Sequence, residues 1–219
     1  DKTPTAAEEI WDNLDAKSHG GLVGTAGASG VINYIKTMSG VTFNGAVRRG
    51  SGAKNSDGGV SGAGGSAWDF ALTTDGSSMG LDGVTMGAGY GEADAGTATG
   101  TWDNDTEHGT AFANYSIGSA TVGAQMSVIN NGKKSSVDEE ALAWGVAFNV
   151  NDNLSVSYGE RDVDYLKPGA AHVKENGSGY AVAYTMGSMK IAGNINKVDN
   201  NQGSKGTTDK NTEIAVSFA

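Results

Sequence analysis

Large apolar residues fall on every second position of this chain over segments of nine or more residues. Between Ala141 and Asn149 they alternate with alanine, glycine and asparagine, and the same rhythm resumes at Leu154 after an Asn-Asp-Asn sequence. A period of two places successive side chains on opposite faces of a β-strand. The region from Ala141 to Glu160 is therefore predicted to be a hairpin with one apolar face and one face of small and polar residues. Whether the apolar face contacts a protein core or lipid decides the fold.

About eleven such strands are predicted from Ser29 to the last residue. Most hold nine to twelve residues, whereas an average soluble strand holds about five or six. A tilted strand needs about nine to eleven residues to cross a bilayer. The predicted strands cover residues 29–38, 41–49, 67–75, 84–93, 107–117, 120–130, 140–150, 154–165, 177–186, 189–198 and 210–219.

The connectors between the predicted strands alternate between short and long. Short or fairly short ones lie at residues 39–40, 76–83, 118–119, 151–153 and 187–188, and longer ones at 50–66, 94–106, 131–139, 166–176 and 199–209. Alternate turns of a meander lie at the same end, so one end is predicted to carry tight turns and the other end loops. Outer-membrane barrels have this asymmetry, and a β-sandwich has no reason to sort its turns in this way.

The second face of the strands carries mainly small and polar side chains. A soluble sheet exposes many lysines and glutamates there, but this chain places glycine, alanine, serine, threonine and asparagine on it with scattered charges. This composition favours the wet interior of a wide barrel over a solvent face. Lumen-facing polar positions are predicted at Asn44, Asp69, Asn114, Gln125 and Lys190.

Composition and motifs argue against several function classes. The formal net charge of −10 repels nucleic acid, and the absence of cysteine argues against a disulfide scaffold or a thiol enzyme. No apolar run is long enough for a transmembrane helix. No catalytic motif is present, so no catalytic residue, enzyme activity, metal or cofactor is expected. Calcium binding at Asp103-Asn104-Asp105 is considered, but a solvated loop is the preferred interpretation.

The first residues differ from the rest of the chain. Residues 6–14 are predicted to form two short helical turns, with Thr5 as N-cap and Glu8 completing a capping box. Gly20 and Gly21 then end the helical pattern. We therefore divide the chain into a segment of residues 1–28 and a strand region of residues 29–219.

Both ends of the chain resemble general bacterial outer-membrane porins. The final sequence Thr212–Ala219 is similar to their carboxy-terminal strand, although that strand typically ends in an aromatic residue and this one ends in Ala219. The sequence AAEEIWDNLDAKSHGG at residues 6–21 looks like the constriction loop of these porins. SGVINYIKTMSGVTFNGAV at residues 29–47 looks like the strand–turn–strand that follows this loop. The likeness is greatest to porins of the alphaproteobacterial type.

The resemblance implies a transmembrane antiparallel barrel of about sixteen strands in the bacterial outer membrane. In that family the constriction loop joins the fifth and sixth strands and folds into the lumen. The eleven strands predicted here would follow the loop, so the chain is expected to be the carboxy-terminal two-thirds of a porin. The family also implies a homotrimer in contact with lipid and lipopolysaccharide.

The same resemblance implies a water-filled channel for passive diffusion of ions and small hydrophilic solutes, with mild cation selectivity. The acidic side of the constriction is assigned to Glu8, Glu9, Asp12 and Asp15. The basic pore wall is assigned to Arg48, Arg49 and Arg161. The alternatives are a substrate-specific outer-membrane channel, an adhesin-like barrel, or a soluble secreted β-sandwich that binds a partner.

Overall fold

Eleven antiparallel strands form one sheet in the order of the sequence. The structure is a computed structural model that describes residues 2–7, 31–49, 66–94, 105–132 and 137–218. The strands are β1 (Val31–Met38), β2 (Val41–Arg48), β3 (Ala67–Thr74), β4 (Val84–Ala93), β5 (Thr106–Ile117), β6 (Ala120–Asn130), β7 (Asp138–Asn149), β8 (Leu154–Leu166), β9 (Val173–Met186), β10 (Met189–Asp199) and β11 (Thr208–Phe218).

The all-β class and the strand order predicted from the alternation are confirmed. The largest difference in a boundary is at β9, which begins at Val173 rather than at residue 177. The added part pairs with the end of β8, where Lys174 lies opposite Asp164 and Asn176 opposite Asp162. These side chains are polar, so no apolar alternation marks this extension in the sequence.

Each strand pairs with its neighbours in the chain. Among the described residues no pairing joins β1 to β11, so the sheet ends at these two strands. One continuous sheet is not the pair of packed sheets that defines a β-sandwich. The soluble β-sandwich alternative is therefore wrong.

The predicted alternation of shorter and longer connectors is confirmed, because each connector at one end of the sheet is shorter than the connectors beside it in the chain. Three connectors at one end hold two residues, at 39–40, 118–119 and 187–188, but residues 75–83 at the same end form a nine-residue connector. This connector contains a 3-10 turn at Ser77–Met79. It packs against the neighbouring turn, because a Cβ added at Gly40 would lie 2.3 Å from Ser78 Oγ. We call this end of the sheet the turn side and the opposite end the loop side.

A local hydrogen-bond network fixes the start of the nine-residue connector. The Ser77 hydroxyl and amide donate to Asp75 Oδ1 at 2.7 and 3.1 Å. These bonds, the hydroxyl's first, lower the pKa of the Asp75 carboxyl.

The two faces of the sheet invert the usual pattern of burial. Large apolar side chains of one face are exposed, among them Leu142, Tyr180 and Ile214 at 53, 65 and 77%. Polar side chains of the other face are buried, such as Gln125 at 4% and Asn196 at 2%. We call these the outer face and the inner face. An exposed apolar outer face is typical of a barrel in a bilayer, because the lipid chains that surround such a barrel are themselves apolar.

Aromatic and charged side chains limit the apolar band of the outer face. The rings of Trp144, Tyr158 and Tyr180 form a row across three strands, with centroids 5.7 and 4.6 Å apart. On the loop side of this row, Lys174 lies 3.4 Å from Asp164 and 3.8 Å from Asp162. Aromatic belts lie at membrane interfaces, so the ends of β8 and β9 extend beyond the lipid. The helical turns among the described residues are too short and too polar to span a bilayer.

Candidate pore lining

The segment of residues 2–7 lies across the inner face of the sheet. The Lys2 amide donates to Gln125 Oε1 at 2.8 Å, and Asn114 Nδ2 donates to the Lys2 carbonyl at 2.8 Å. Further along, the Ala6 amide donates to Ser157 Oγ at 2.9 Å. The segment thus passes from β5 and β6 to β8, and side chains of the inner face hold its backbone at both ends.

Two glycines of the inner face make room for this arrangement. A Cβ at Gly145 of β7 would lie 2.8 Å from the Pro4 carbonyl oxygen, which leaves no space for a side chain. A Cβ at Gly123 of β6 would lie 1.7 Å from Asn114 Oδ1. The second glycine therefore admits the side chain that binds Lys2. The segment therefore rests on Gly145, while Gly123 makes room for the Asn114 side chain that holds it.

Residue Ala7 brings the segment close to the last two strands. It lines a cavity of about 190 Å³ together with residues of β10 and β11. The other residues around it are Lys190, Ala192, Gly193, Asn194, Glu213, Ala215 and Ser217.

A buried ion pair lies on the loop side of the inner face. Arg161 Nη2 is 2.6 Å from Glu175 Oε1, and the two residues are 2 and 0% exposed. The other carboxylate oxygen of Glu175 accepts the Gln202 amide at 2.7 Å and the Tyr165 hydroxyl at 3.3 Å. Gly203 lies against the Tyr165 ring. Glu175 therefore fixes the connector of residues 200–207 onto the inner face.

Hydroxyl and amide groups line the inner face on the turn side. Thr37 and Thr42 face each other across β1 and β2 at 2.9 Å, and Ser116 and Thr121 do the same across β5 and β6. The Ser155 hydroxyl donates to Asn149 Oδ1 at 2.7 Å across β7 and β8. This neutral and strongly hydrogen-bonding surface continues from hairpin to hairpin.

The predicted lumen-facing residues lie on the inner face by strand alternation. Asn44, Asp69 and Asn114 occupy inward positions of β2, β3 and β5, and Gln125 and Lys190 do so on β6 and β10. The structure brings Asn114 and Gln125 together through their shared contact with Lys2. Asn44 and Lys190 are exposed, whereas Gln125 is buried.

The predicted basic residues occupy three different environments. Arg48 ends β2 at an inward position, Arg49 follows the strand and is exposed, and Arg161 is buried with Glu175. The predicted acidic residues Glu8, Glu9, Asp12 and Asp15 lie outside the described residues, as does most of the predicted helix at residues 6–14. Their roles at a constriction remain predictions.

Sequence reasoning missed four residues that organise the inner face. They are Gly145 and Ser157 beneath the crossing segment and Tyr165 and Glu175 in the buried pair. Alternation put Gly145 and Ser157 on the correct face, but it carries no signal for a contact more than 140 positions away in the chain. Glu175 was assigned to a connector because the predicted start of β9 was four residues late.

Comparison with known proteins decides the family. The sequence model of the Gram-negative porin family matches residues 1–219. The chain belongs to the Gram-negative porin family. An outer-membrane β-barrel is the form in which porins of Gram-negative bacteria occur, and the exposed apolar outer face agrees with it. No match was found among curated protein sequences.

Solved structures show the same fold at low sequence identity. A porin refined at 1.8 Å resolution matches with a TM-score of 0.64 and 16% identity over 86% of this chain. OmpT of Vibrio cholerae matches with a TM-score of 0.59 and 16% identity over 86%. An anion-selective porin from Comamonas acidovorans matches with a TM-score of 0.65 and 12% identity over 85%. The chain spans 60, 64 and 58% of the length of these proteins.

Two further sequence predictions also remain untested. The alphaproteobacterial type has no support beyond the sequence resemblance. For calcium, the described residues hold no group of three side chains suited to a metal ion. Asp103 and Asn104 of the considered calcium loop lie outside these residues.

Proposed function

We propose that this protein forms a water-filled channel for passive diffusion of ions and small hydrophilic solutes across the outer membrane. The observation that carries the proposal is the segment of residues 2–7, which crosses a polar inner face behind an exposed apolar outer face. A segment held inside a barrel narrows the lumen without filling it. Such a channel selects by width and charge and performs no chemistry, so we propose no enzymatic role.

We propose mild cation selectivity, with the acidic side of the constriction on Glu8, Glu9, Asp12 and Asp15. These residues continue directly from the segment that lies inside the barrel, and the net charge of −10 favours cations. Arg48 and Arg49 remain candidates for an opposing basic side. Arg161 contributes less charge to the lumen, because Glu175 compensates it at 2.6 Å. The anion-selective porin from Comamonas acidovorans has the same fold, so the sign of selectivity depends on such residues.

We also propose a homotrimer in contact with outer-membrane lipid and lipopolysaccharide. One solved structure of Vibrio cholerae OmpT is described as a trimer form. The exposed apolar outer face offers surface for both lipid and neighbouring copies. Chemical crosslinking in isolated outer membranes is expected to give a limiting species of three copies, and a monomer that persists at saturating crosslinker would contradict this.

The test of the channel is single-channel conductance of the protein purified from outer membranes and inserted into a planar bilayer. Stepwise openings with cation preference in a salt gradient are expected. Replacing Glu8 and Glu9 by glutamine and Asp12 and Asp15 by asparagine should lower the cation-to-anion permeability ratio about two- to fivefold at ~0.1 M salt.

The matched control changes four acids of the outer face to their amides, namely Glu140, Glu160, Asp162 and Asp164. It is expected to leave the permeability ratio unchanged, because these side chains lie outside the lumen. An equal change in both quadruple variants would contradict the acidic constriction. Absence of openings from folded, inserted protein would overturn the channel and favour an adhesin-like barrel.

A further inference from the structure

The crossing segment divides the inner face into two regions with different charge. It is hydrogen-bonded to Asn114 and Ser157 and shares a cavity with Ala192, and each of these residues lies three positions from the turn-side end of its strand, so the division applies to the strands from β5 to β11. On the loop side of this line lie buried charged groups such as Arg161, Glu175 and Glu139. On the turn side, the described residues form a surface of hydroxyl and amide groups that holds one charged residue, Lys190, and we call this surface the turn-side vestibule. Its residues are Thr37, Thr42, Thr73, Thr85, Ser116, Thr121, Asn149, Ser155, Thr185, Lys190 and Ser217.

Among the described residues of the turn-side vestibule, Lys190 is the one with a charged side chain. It lies next to the two-residue turn at 187–188, where it is opposite Thr185 on β9 and Ser217 on β11. Its side chain is exposed, and in the described part of the chain it forms no ion pair. The nearest acidic residue of the same cavity, Glu213, lies four positions farther from the turn along β11.

The other cations of the inner face are placed differently. Arg161 is buried with Glu175, and Arg48 lies at the loop-side end of β2. Lys2 is exposed on the crossing segment itself, beside β5 and β6 rather than β10. The acids of the turn-side connectors, Asp75, Asp82 and Asp152, lie outside the strands.

We propose that Lys190 is a selectivity-determining residue of the turn-side vestibule. Its ammonium group raises the local concentration of anions at this mouth, opposite in sign to the acidic constriction. The permeability ratio of the channel therefore depends on which side faces the dilute solution. This inference rests on the proposed channel function and adds a specific site to it.

The expected size follows from screening in water. The Debye length is about 10 Å at 0.1 M salt and about 3 Å at 1 M. A unit charge about 5 Å from an ion in water therefore changes the local ion concentration about twofold at 0.1 M and little at 1 M. Lys190 and Ala7 line the same cavity, so the proposal places the path of a permeating ion within about this distance of the ammonium group.

The test compares Lys190→Gln with Lys36→Gln in planar bilayers under a tenfold salt gradient. Lys36 is two residues from the same end of the sheet but on the outer face, opposite Phe43, so it is a matched loss of charge. Lys190→Gln is expected to raise the cation-to-anion permeability ratio about twofold with the dilute solution on the turn side. The effect should be smaller in the reverse gradient and disappear near 1 M salt.

A second variant separates the effect of the charge from any effect of the substitution on folding. The chain contains no cysteine, so Lys190→Cys can be modified after insertion by thiol reagents of opposite charge added to one side. The cationic reagent should restore the wild-type ratio and the anionic reagent should raise it further, and wild-type protein treated in parallel should not respond. Unchanged ratios after modification, or equal shifts in Lys190→Gln and Lys36→Gln, would overturn this inference alone. A wild-type protein without openings would overturn the channel function and this inference with it.

Discussion

Replacing Glu175 by glutamine is expected to lower the free energy of unfolding by about 3 kcal/mol. Glu175 and Arg161 are both buried, and their side chains meet at 2.6 Å. Glutamine has nearly the same shape but no charge, so it leaves the guanidinium of Arg161 buried without its main partner. Removing one member of a buried pair costs about 3–5 kcal/mol. Arg161 also interacts electrostatically with Glu139, so the expected loss is at the lower end of this range.

Urea unfolding of the protein in detergent micelles, followed by tryptophan fluorescence, measures this loss. Glu140→Gln is the control, because Glu140 is an exposed acid on the outer face of β7, two strands away from Glu175; it should change stability by less than about 0.5 kcal/mol. The double variant Arg161→Met with Glu175→Gln removes both charges, keeps a side-chain oxygen for the Gln202 amide and the Tyr165 hydroxyl, and should recover most of the lost stability. Equal unfolding curves for Glu175→Gln and Glu140→Gln would contradict a stabilising role of the pair.

The same variant should also loosen the connector of residues 200–207. Glu175 Oε2 accepts the Gln202 amide, and the Tyr165 ring that Glu175 holds lies against Gly203. Lys205 is exposed in this connector. Cleavage by trypsin after Lys205 is therefore expected to be faster in Glu175→Gln than in Glu140→Gln, and equal cleavage rates would contradict the anchoring.

The sequence predicts the sheet well, because lipid on one side and water on the other impose a strict period of two. The same period places Asn114, Gln125 and Lys190 on the inner face. It fails at the start of β9, where Lys174 and Asn176 lie beyond the lipid and the outward side chains are polar. Glu175 falls in this extension, and its contact with Arg161 was therefore not predicted.

The candidate site is less predictable than the sheet, because its contacts join residues far apart in the chain. Small residues at Ala143, Gly145 and Ala147 predict a surface without large side chains, but not that Pro4 lies against the middle one. Likewise, the hydroxyl of Ser157 differs in no sequence feature from that of Ser155. Only the path of residues 2–7 separates the serine that binds the segment from the serine that lines the turn-side vestibule.

Replacing Gly145 by valine is expected to reduce single-channel conductance by roughly a third. A Cβ at this position would lie 2.8 Å from the Pro4 carbonyl oxygen, and the two methyl groups of valine need more space still. Hydrogen bonds to Gln125 and Ser157 hold the segment on both sides of Pro4. The segment is therefore expected to bow into the lumen rather than detach, and a narrower lumen carries less current.

Gly193→Val is the matched control for this experiment. The backbone of Gly193 borders the cavity that contains Ala7, but its side-chain position is on the outer face of β10, where a Cβ would meet no atom closer than 3.4 Å. An apolar hollow of about 410 Å³ around it, lined by residues such as Val182, Ile195 and Ile214, accommodates the added side chain. Conductance of Gly193→Val should equal that of the wild type.

Removing the anchors should change conductance in the opposite direction. The double variant Gln125→Leu with Ser157→Ala removes the acceptors of the Lys2 and Ala6 amides. Two buried or partly buried hydrogen bonds are lost, each worth about 1 kcal/mol, so the segment should leave the wall and the current become larger or fluctuate more. If Gly145→Val and this double variant both leave conductance at the wild-type value, residues 2–7 do not limit the pore. Opposite changes would establish that the position of this segment on the inner face sets the width of the channel.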